Sequence, residues 1–206
     1  MTQAHQLYGR RGSHYTRLVR MFAFDAGLPY AFHEISDMRV LDPEAYGGHP
    51  ALKLPVLLAD GRPVFGAENI CRWFAARAAK PGLVLWTEDV PDAELSNAQE
   101  LVWLGMNAQV QIMMATRIFD LPPQHPYVEK LRQGLAGLLT WLDAQTPSIL
   151  AALPRRDSSL FEYSLFCLVG HLLFRPSVNI GSWTFLSEFH ADLAARACAQ
   201  ATPFTP

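Results

Sequence analysis

The groups in this 206-residue chain best suited to chemistry are hydroxyls and cations near its start. Ser13 opens a run with apolar residues at Tyr15, Leu18, Val19, Phe22 and Ala26, the spacing of one helical face. A serine at that point caps the helix by accepting a backbone amide that the first turn leaves without a partner. It also holds a hydroxyl donor in the positive field of a helix N-terminus, where negative charge is stabilised. Tyr8 and Tyr15 are the competing hydroxyls, and Tyr15 lies on the apolar face. Arg10, Arg11, Arg17 and Arg20 cluster round the same turn, either to attract an anionic ligand or as an ordinary solvated face. His14 reads as a solvated or a helix-start histidine. Farther along, Lys53 offers a point charge, and Pro55 opens the apolar run Val56-Leu57-Leu58. Proline removes a ladder hydrogen bond, so Pro55 belongs at a strand edge or in a special turn.

Other chemistries lack their residues. The chain has no HExxH, phosphate-cradling P-loop, GxGxxG or GxSxG, and its seven histidines are scattered without ligand spacing, so no metal is expected. Cys71, Cys167 and Cys198 form no CxxC pair, which speaks against a disulfide framework or zinc knuckle and for a reducing cytoplasm. Cys71 falls within a helix, not at the start of the first one, which disfavours disulfide exchange. A net charge of −2 carries no nucleic-acid footprint. The N-terminus does not read as a signal peptide. The most apolar stretch, Leu160 to Phe174, contains Glu162 and His171 and is too short to span a bilayer. A soluble protein without a membrane partner is expected. Charged residues make up only 17% of the chain, beside five Trp and twelve Phe, which favours an oligomer that hides an apolar patch.

The elements that would position these groups fall into two textures. Up to about Arg77, short strand-like runs alternate with helical ones. Gln6-Leu7-Tyr8 reads as a strand, and the helix from Ser13 ends at Gly27, with Pro29 barring continuation. Tyr30 to Ile35 alternates as a strand. After a loop or short helix, Leu54 to Leu58, Asp60-Gly61 and Pro63-Val64-Phe65 form a hairpin signal. A helix over Asn69 to Ala78 completes a β-α-β, β-β-α order. Pro81, Gly82 and Pro91 mark residues 80–91 as a linker. Beyond it the chain reads as all helix. Two long periodic runs are separated by Pro122-Pro123, and a third helix opens with the capping box Ser159 to Glu162. That box predicts Ser hydroxyl and Glu carboxylate satisfying each other's backbone amides. A last helix covers roughly Trp183 to Ala197.

Three motifs in order carry a family resemblance. Tyr8-Gly-Arg-Arg-Gly-Ser-His-Tyr-Thr-Arg-Leu-Val-Arg20, His49-Pro-Ala-Leu-Lys-Leu-Pro-Val-Leu57 and Val64-Phe-Gly-Ala-Glu-Asn-Ile-Cys-Arg-Trp-Phe74 resemble the first half of cytosolic glutathione S-transferases with a serine-type N-terminal motif. The resemblance implies an α/β plus all-α protein. A thioredoxin-like, glutathione-binding domain would span 1–79, a linker 80–91 and an all-helical, substrate-binding domain 92–206. Glu162 stands where the family's buried box usually has Asp.

The resemblance also implies roles for particular residues. Ser13 occupies the position of the catalytic hydroxyl that activates the glutathione thiol, and glutathione enters as cosubstrate. Pro55 is implied to be cis, turning the Leu54 backbone toward the cysteinyl part of the ligand, and Lys53 is implied to reach the glycine carboxylate. The acidic-or-Gln and Ser pair that grips the γ-glutamyl end is replaced by Gly66-Ala67, with Glu68 and Asn69 as possible substitutes. Tyr15, Trp103, Met106 and Met113 are the expected wall of a pocket for a small hydrophobic electrophile, with Met114 and Phe119 nearby in sequence. A homodimer is implied. Two alternatives stay open: a non-catalytic scaffold with a degenerate glutathione site, and a glutathione-dependent lyase, isomerase or dehalogenase.

Overall fold

The computed structural model describes residues 5–80 and 82–206. The chain forms two compact units, one of residues up to Leu83 together with Arg196–Pro206, the other of Val84–Ala195.

In the first unit the strands are β1 (His5–Gly9), β2 (Tyr30–Glu34), β3 (Val56–Ala59) and β4 (Arg62–Phe65), and the helices α1 (His14–Ala26) and α2 (Ala67–Ala75). The sheet runs in the order β2-β1-β3-β4, with β1 parallel to β2 and antiparallel to β3, and β3 antiparallel to β4. Parallel neighbours need a crossover, and α1 provides it. Ser13 caps α1 by accepting the Thr16 amide at 3.3 Å. Gly27 ends the helix at φ 66°, a left-handed turn open to glycine, and its amide returns to the Ala23 and Phe24 carbonyls. Asp60 and Gly61, at φ 51° and 74°, make the tight β3–β4 turn that the Asp-Gly pair predicts. Pro63 is tolerated because β4 is an edge strand. Leu7, Leu57, Leu18, Val19, Ile70 and Phe74 are fully buried and make the core. A 3₁₀ turn over Pro43–Tyr46 fills the stretch between β2 and β3, and α2 begins at Ala67, two residues ahead of the expected start.

The second unit is almost all helix: α3 (Ala93–Met113), α4 (Pro126–Ala152), α5 (Leu160–Phe174) and α6 (Thr184–Ala194). The last turn of α3 widens into a π-helical turn over Met114–Ile118. α3 packs along α4 and α5, and α6 packs on both of those. At Gly105 a Cβ would lie 2.8 Å from a Leu168 methyl and 3.0 Å from one of Leu138, so the close approach of the helices excludes a side chain there. Among the described residues no helix is long and apolar enough to cross a membrane.

Four expectations are corrected. The stretch 80–91 is not all linker: Val84–Leu85 (β5) pairs in parallel with Ser158–Ser159 (β6), and Thr87–Asp89 form a 3₁₀ turn. A two-residue strand has no periodicity to read. The capping box closes differently. Ser159 accepts the Glu162 amide at 3.1 Å as expected, but the Glu162 carboxylate takes the Ser159 hydroxyl at 2.6 Å and the Arg156 guanidinium at 2.6 and 2.9 Å. The last helix breaks at Ala195–Arg196, and a short α7 (Ala197–Ala201) follows. Finally, residues from Arg196 onward, expected with the helical domain, pack with the first unit, where α7 lies on α1.

That last contact also settles two of the arginines, which are not a solvated face. Arg17 is 7% exposed, donates Nη2 to the Ala199 carbonyl at 3.3 Å and lies 4.4 Å over the Phe204 ring. Arg20 is equally buried and donates Nη1 to the Pro203 carbonyl at 3.5 Å.

Candidate functional site

The strand register brings the predicted residues of the first unit to one end of the sheet. Tyr8 pairs with Val56, and Val56 with Phe65, so the row closes where β1 ends, β3 begins and β4 ends. The chain segments leaving that row are Gly9 to Ser13, Leu54-Pro55 and Gly66-Ala67. Two helix N-termini, of α1 and α2, therefore start at this end and direct their positive poles to it. Such an end suits an anion.

Ser13 is half-buried, and its oxygen accepts the Thr16 amide while its proton is donated to none of the described residues. The hydroxyl therefore retains a donor. The turn before it is tightly built: a Cβ on Gly9 would come within 2.6 Å of the Thr16 methyl, so only glycine lets β1 pass that close to α1. His14 starts α1, the second of the two readings, and is 1% exposed, so it is a buried side chain and not a solvated one. Its ring tilts against Tyr15 at 4.8 Å. Burial pushes the Tyr15 phenol up to about 12, which keeps it neutral at physiological pH. The Tyr8 hydroxyl donates to Gln6 Oε1 at 3.3 Å, and its ring stacks on His33 at 4.6 Å.

The Leu54–Pro55 peptide bond is cis, with Pro55 buried and Leu54 half-buried. The loop ahead of it is held in an uncommon shape. Leu52 sits at φ 53°, a left-handed conformation that costs a leucine about 1–2 kcal/mol. It is fixed there by its own amide on the His49 carbonyl at 3.0 Å and by the Ala51 amide on His49 Nδ1 at 3.1 Å. Lys53, next in the chain, is exposed.

Burial, then the charge of Lys53, lowers the His49 imidazole below its ordinary 6.5, against a backbone hydrogen bond that raises it. His49 is thus neutral at pH 7, with its proton on Nε2 because Nδ1 accepts. An unfolded chain protonates this histidine at a higher pH than the folded one. Its effect is therefore absent above 6.5, and stability is lost as pH falls from there toward the folded value. Replacing Lys53 with glutamine is expected to move the His49 midpoint upward in a proton NMR titration. An unmoved midpoint would leave burial as the sole cause.

At the third segment Gly66 takes φ 87°, a region favouring glycine, and caps α2 without a side chain. The first α2 bond runs from the Ile70 amide to the Gly66 carbonyl, which leaves the amides before it for a ligand or water. The two proposed substitutes are engaged within α2. Glu68 Oε1 accepts Arg72 Nη2 at 2.7 Å and Nε at 3.0 Å, and Asn69 Nδ2 donates to the Phe65 carbonyl at 3.0 Å. In the second unit Met106 is fully buried as core, whereas Trp103, Met113 and Met114 are half-buried and Phe119 is exposed. Among the described residues no group of His, Cys, Asp or Glu side chains could hold a metal ion.

Sequence reasoning missed the grip of Glu34 on Arg11, with the Arg11 amide at 2.9 Å and Nε at 3.2 Å. Charge alternation gave no local signal, since the two are separated by all of α1.

Residues 7–82 match the family model for the glutathione S-transferase N-terminal domain. No curated protein matches the chain at a significant level. Among solved structures, a glutathione transferase family member from Pseudomonas fluorescens Pf-5 with bound glutathione is 19% identical at a TM-score of 0.79, over 98% of this chain and 100% of that one. The structure of that family member with bound S-(propanoic acid)-glutathione gives 20% and 0.75 over the same shares. A glutathione S-transferase from Methylobacillus flagellatus KT with glutathione bound is 20% identical at 0.76, again over 98% and 100%. Residues 7–82 are thus similar to the glutathione S-transferase N-terminal domain, and the chain as a whole shares the fold of these solved structures.

Proposed function

We propose that this protein binds glutathione at the described end of the first-unit sheet and joins its thiolate to a small hydrophobic electrophile. The observation that carries the reading is Ser13, a hydroxyl with its proton uncommitted at the positive pole of α1. Lowering a thiol by about two pKa units takes roughly 2.7 kcal/mol of preferential thiolate stabilisation. A hydrogen bond to a charged group contributes about 1.5–3 kcal/mol, so one serine is of the right size. In this reading the Leu54 backbone pairs with the cysteinyl unit, Lys53 takes the glycine carboxylate, and the α2 amides take the γ-glutamyl carboxylate. The Pseudomonas protein with S-(propanoic acid)-glutathione holds a thioether, the kind of product such a reaction makes. A cytoplasmic homodimer belongs to the same reading.

A second reading, a binding module without catalysis, is favoured by one observation. Gly66-Ala67 offer no polar side chain, and Glu68 and Asn69 are occupied by Arg72 and Phe65. Calorimetric titration with reduced glutathione at neutral pH separates the two. One saturable site per subunit is expected. Absence of heat up to millimolar ligand overturns the transferase reading in favour of the module.

A further inference from the structure

Four arginines crowd the turn between β1 and α1, and the structure sorts them. Arg11 is paired with Glu34 and lies 4.6 Å over the Phe32 ring. Arg17 and Arg20 are buried and spend their guanidinium groups on the carbonyls of Ala199 and Pro203. Arg10 remains. Among the described residues its guanidinium makes no hydrogen bond, ion pair or ring contact, although the residue is half-buried.

Its backbone, by contrast, is pinned on both sides. The Arg10 amide donates to Thr16 Oγ1 at 3.3 Å, and its carbonyl accepts the Ser13 amide at 3.0 Å. The side chain therefore leaves from a fixed anchor in the turn between β1 and α1, three positions before Ser13. The acids of this end are taken: Glu34 by Arg11, Glu68 by Arg72. A cation without a counter-ion is available to a ligand that brings negative charge. A planar guanidinium matches a carboxylate in a two-point fork.

We propose that Arg10 recognises a carboxylate carried by the otherwise hydrophobic electrophile, so that the second substrate of this protein is an apolar organic acid. The inference rests on the glutathione reading above. In that reading Lys53 and the α2 amides serve the two carboxylates of glutathione, and the thiol lies at Ser13. The group that meets the thiol there is the electrophile, and Arg10 is the uncommitted arginine nearest to Ser13 in the chain. Arg10 is a specificity-determining residue, not a group that moves protons.

The test uses 4-chloro-3-nitrobenzoate and the neutral 4-chloro-3-nitrobenzamide. In either, a carbon–sulfur bond forms, the carbon–chlorine bond breaks with its electron pair leaving on chloride, and the thiol proton passes to solvent. Each kcat/KM is divided by the uncatalysed rate with glutathione. The unmodified protein is expected to favour the acid by about tenfold or more, the size of one charge-assisted contact. Arg10→Gln is expected to abolish that preference and Arg10→Lys to keep part of it. A preference that survives Arg10→Gln overturns the proposal. So does an Arg10→Gln variant whose preference is intact but whose glutathione affinity falls tenfold, because the carboxylate is then that of glutathione itself. Failure of the unmodified protein to bind glutathione in the calorimeter removes the transferase reading first, and this inference with it.

Discussion

Replacing Ser13 with alanine is expected to lower kcat/KM for thiol conjugation by roughly 10- to 100-fold, the loss of one hydrogen bond to a thiolate. The pKa of the bound glutathione thiol should rise by about one to two units, read from the pH dependence of its ultraviolet thiolate absorbance. The same substitution removes a helix cap, worth about 1 kcal/mol, and a slack α1 would also slow the reaction. Ser13→Gly separates the two effects, because glycine at a cap position costs only a few tenths of a kcal/mol. If the alanine and glycine variants lose activity equally, the hydroxyl acts on sulfur. Unchanged rate and thiol pKa in both would make Ser13 a cap alone.

The largest stability effect is expected at Glu162. Its carboxylate and the Arg156 guanidinium are each only 16% exposed and are joined by two short hydrogen bonds, while the Ser159 hydroxyl donates to the same carboxylate. Glu162→Ala leaves a largely desolvated cation with only the Leu153 and Pro154 carbonyls for company. A cost of about 3 kcal/mol is expected, measured as a shift in the urea midpoint of helical circular dichroism. Glu162→Gln keeps an acceptor for Ser159 and should cost less. A loss below about 1 kcal/mol for the alanine variant would place this pair with ordinary surface ion pairs.

Much of the first unit was legible because its signals are local. Ser13 and Gly27 bound α1 as a cap and a left-handed stop, and Asp60-Gly61 turn the hairpin. The order of these elements is enough for the sheet, given that a β-α-β crossover makes parallel neighbours. The candidate site residues Ser13, Leu54 and Pro55 could be named because each belongs to a short motif. What failed was long-range pairing. Nothing near Arg17 or Arg20 announces that their partners are carbonyls of Ala199 and Pro203, and a cation in a helix reads as solvated unless its partner is adjacent. His14 failed for a related reason: its burial is decided by what packs over it, not by its place in the helix. Glu68 and Asn69 were readable as polar groups near a helix start, but not as groups already held by Arg72 and Phe65.

The hold of α7 on α1 has a consequence for assembly. Arg17 and its acceptor Ala199 are 182 residues apart in the chain. On a ribosome most of the first unit emerges before the second, yet the chain that covers one side of its first helix is made only after it. Closing so long a loop is slow in kinetic terms even though its added entropy grows only with the logarithm of length. Until then Arg17, Arg20 and the flank of α1 that meets α7 lack their final cover.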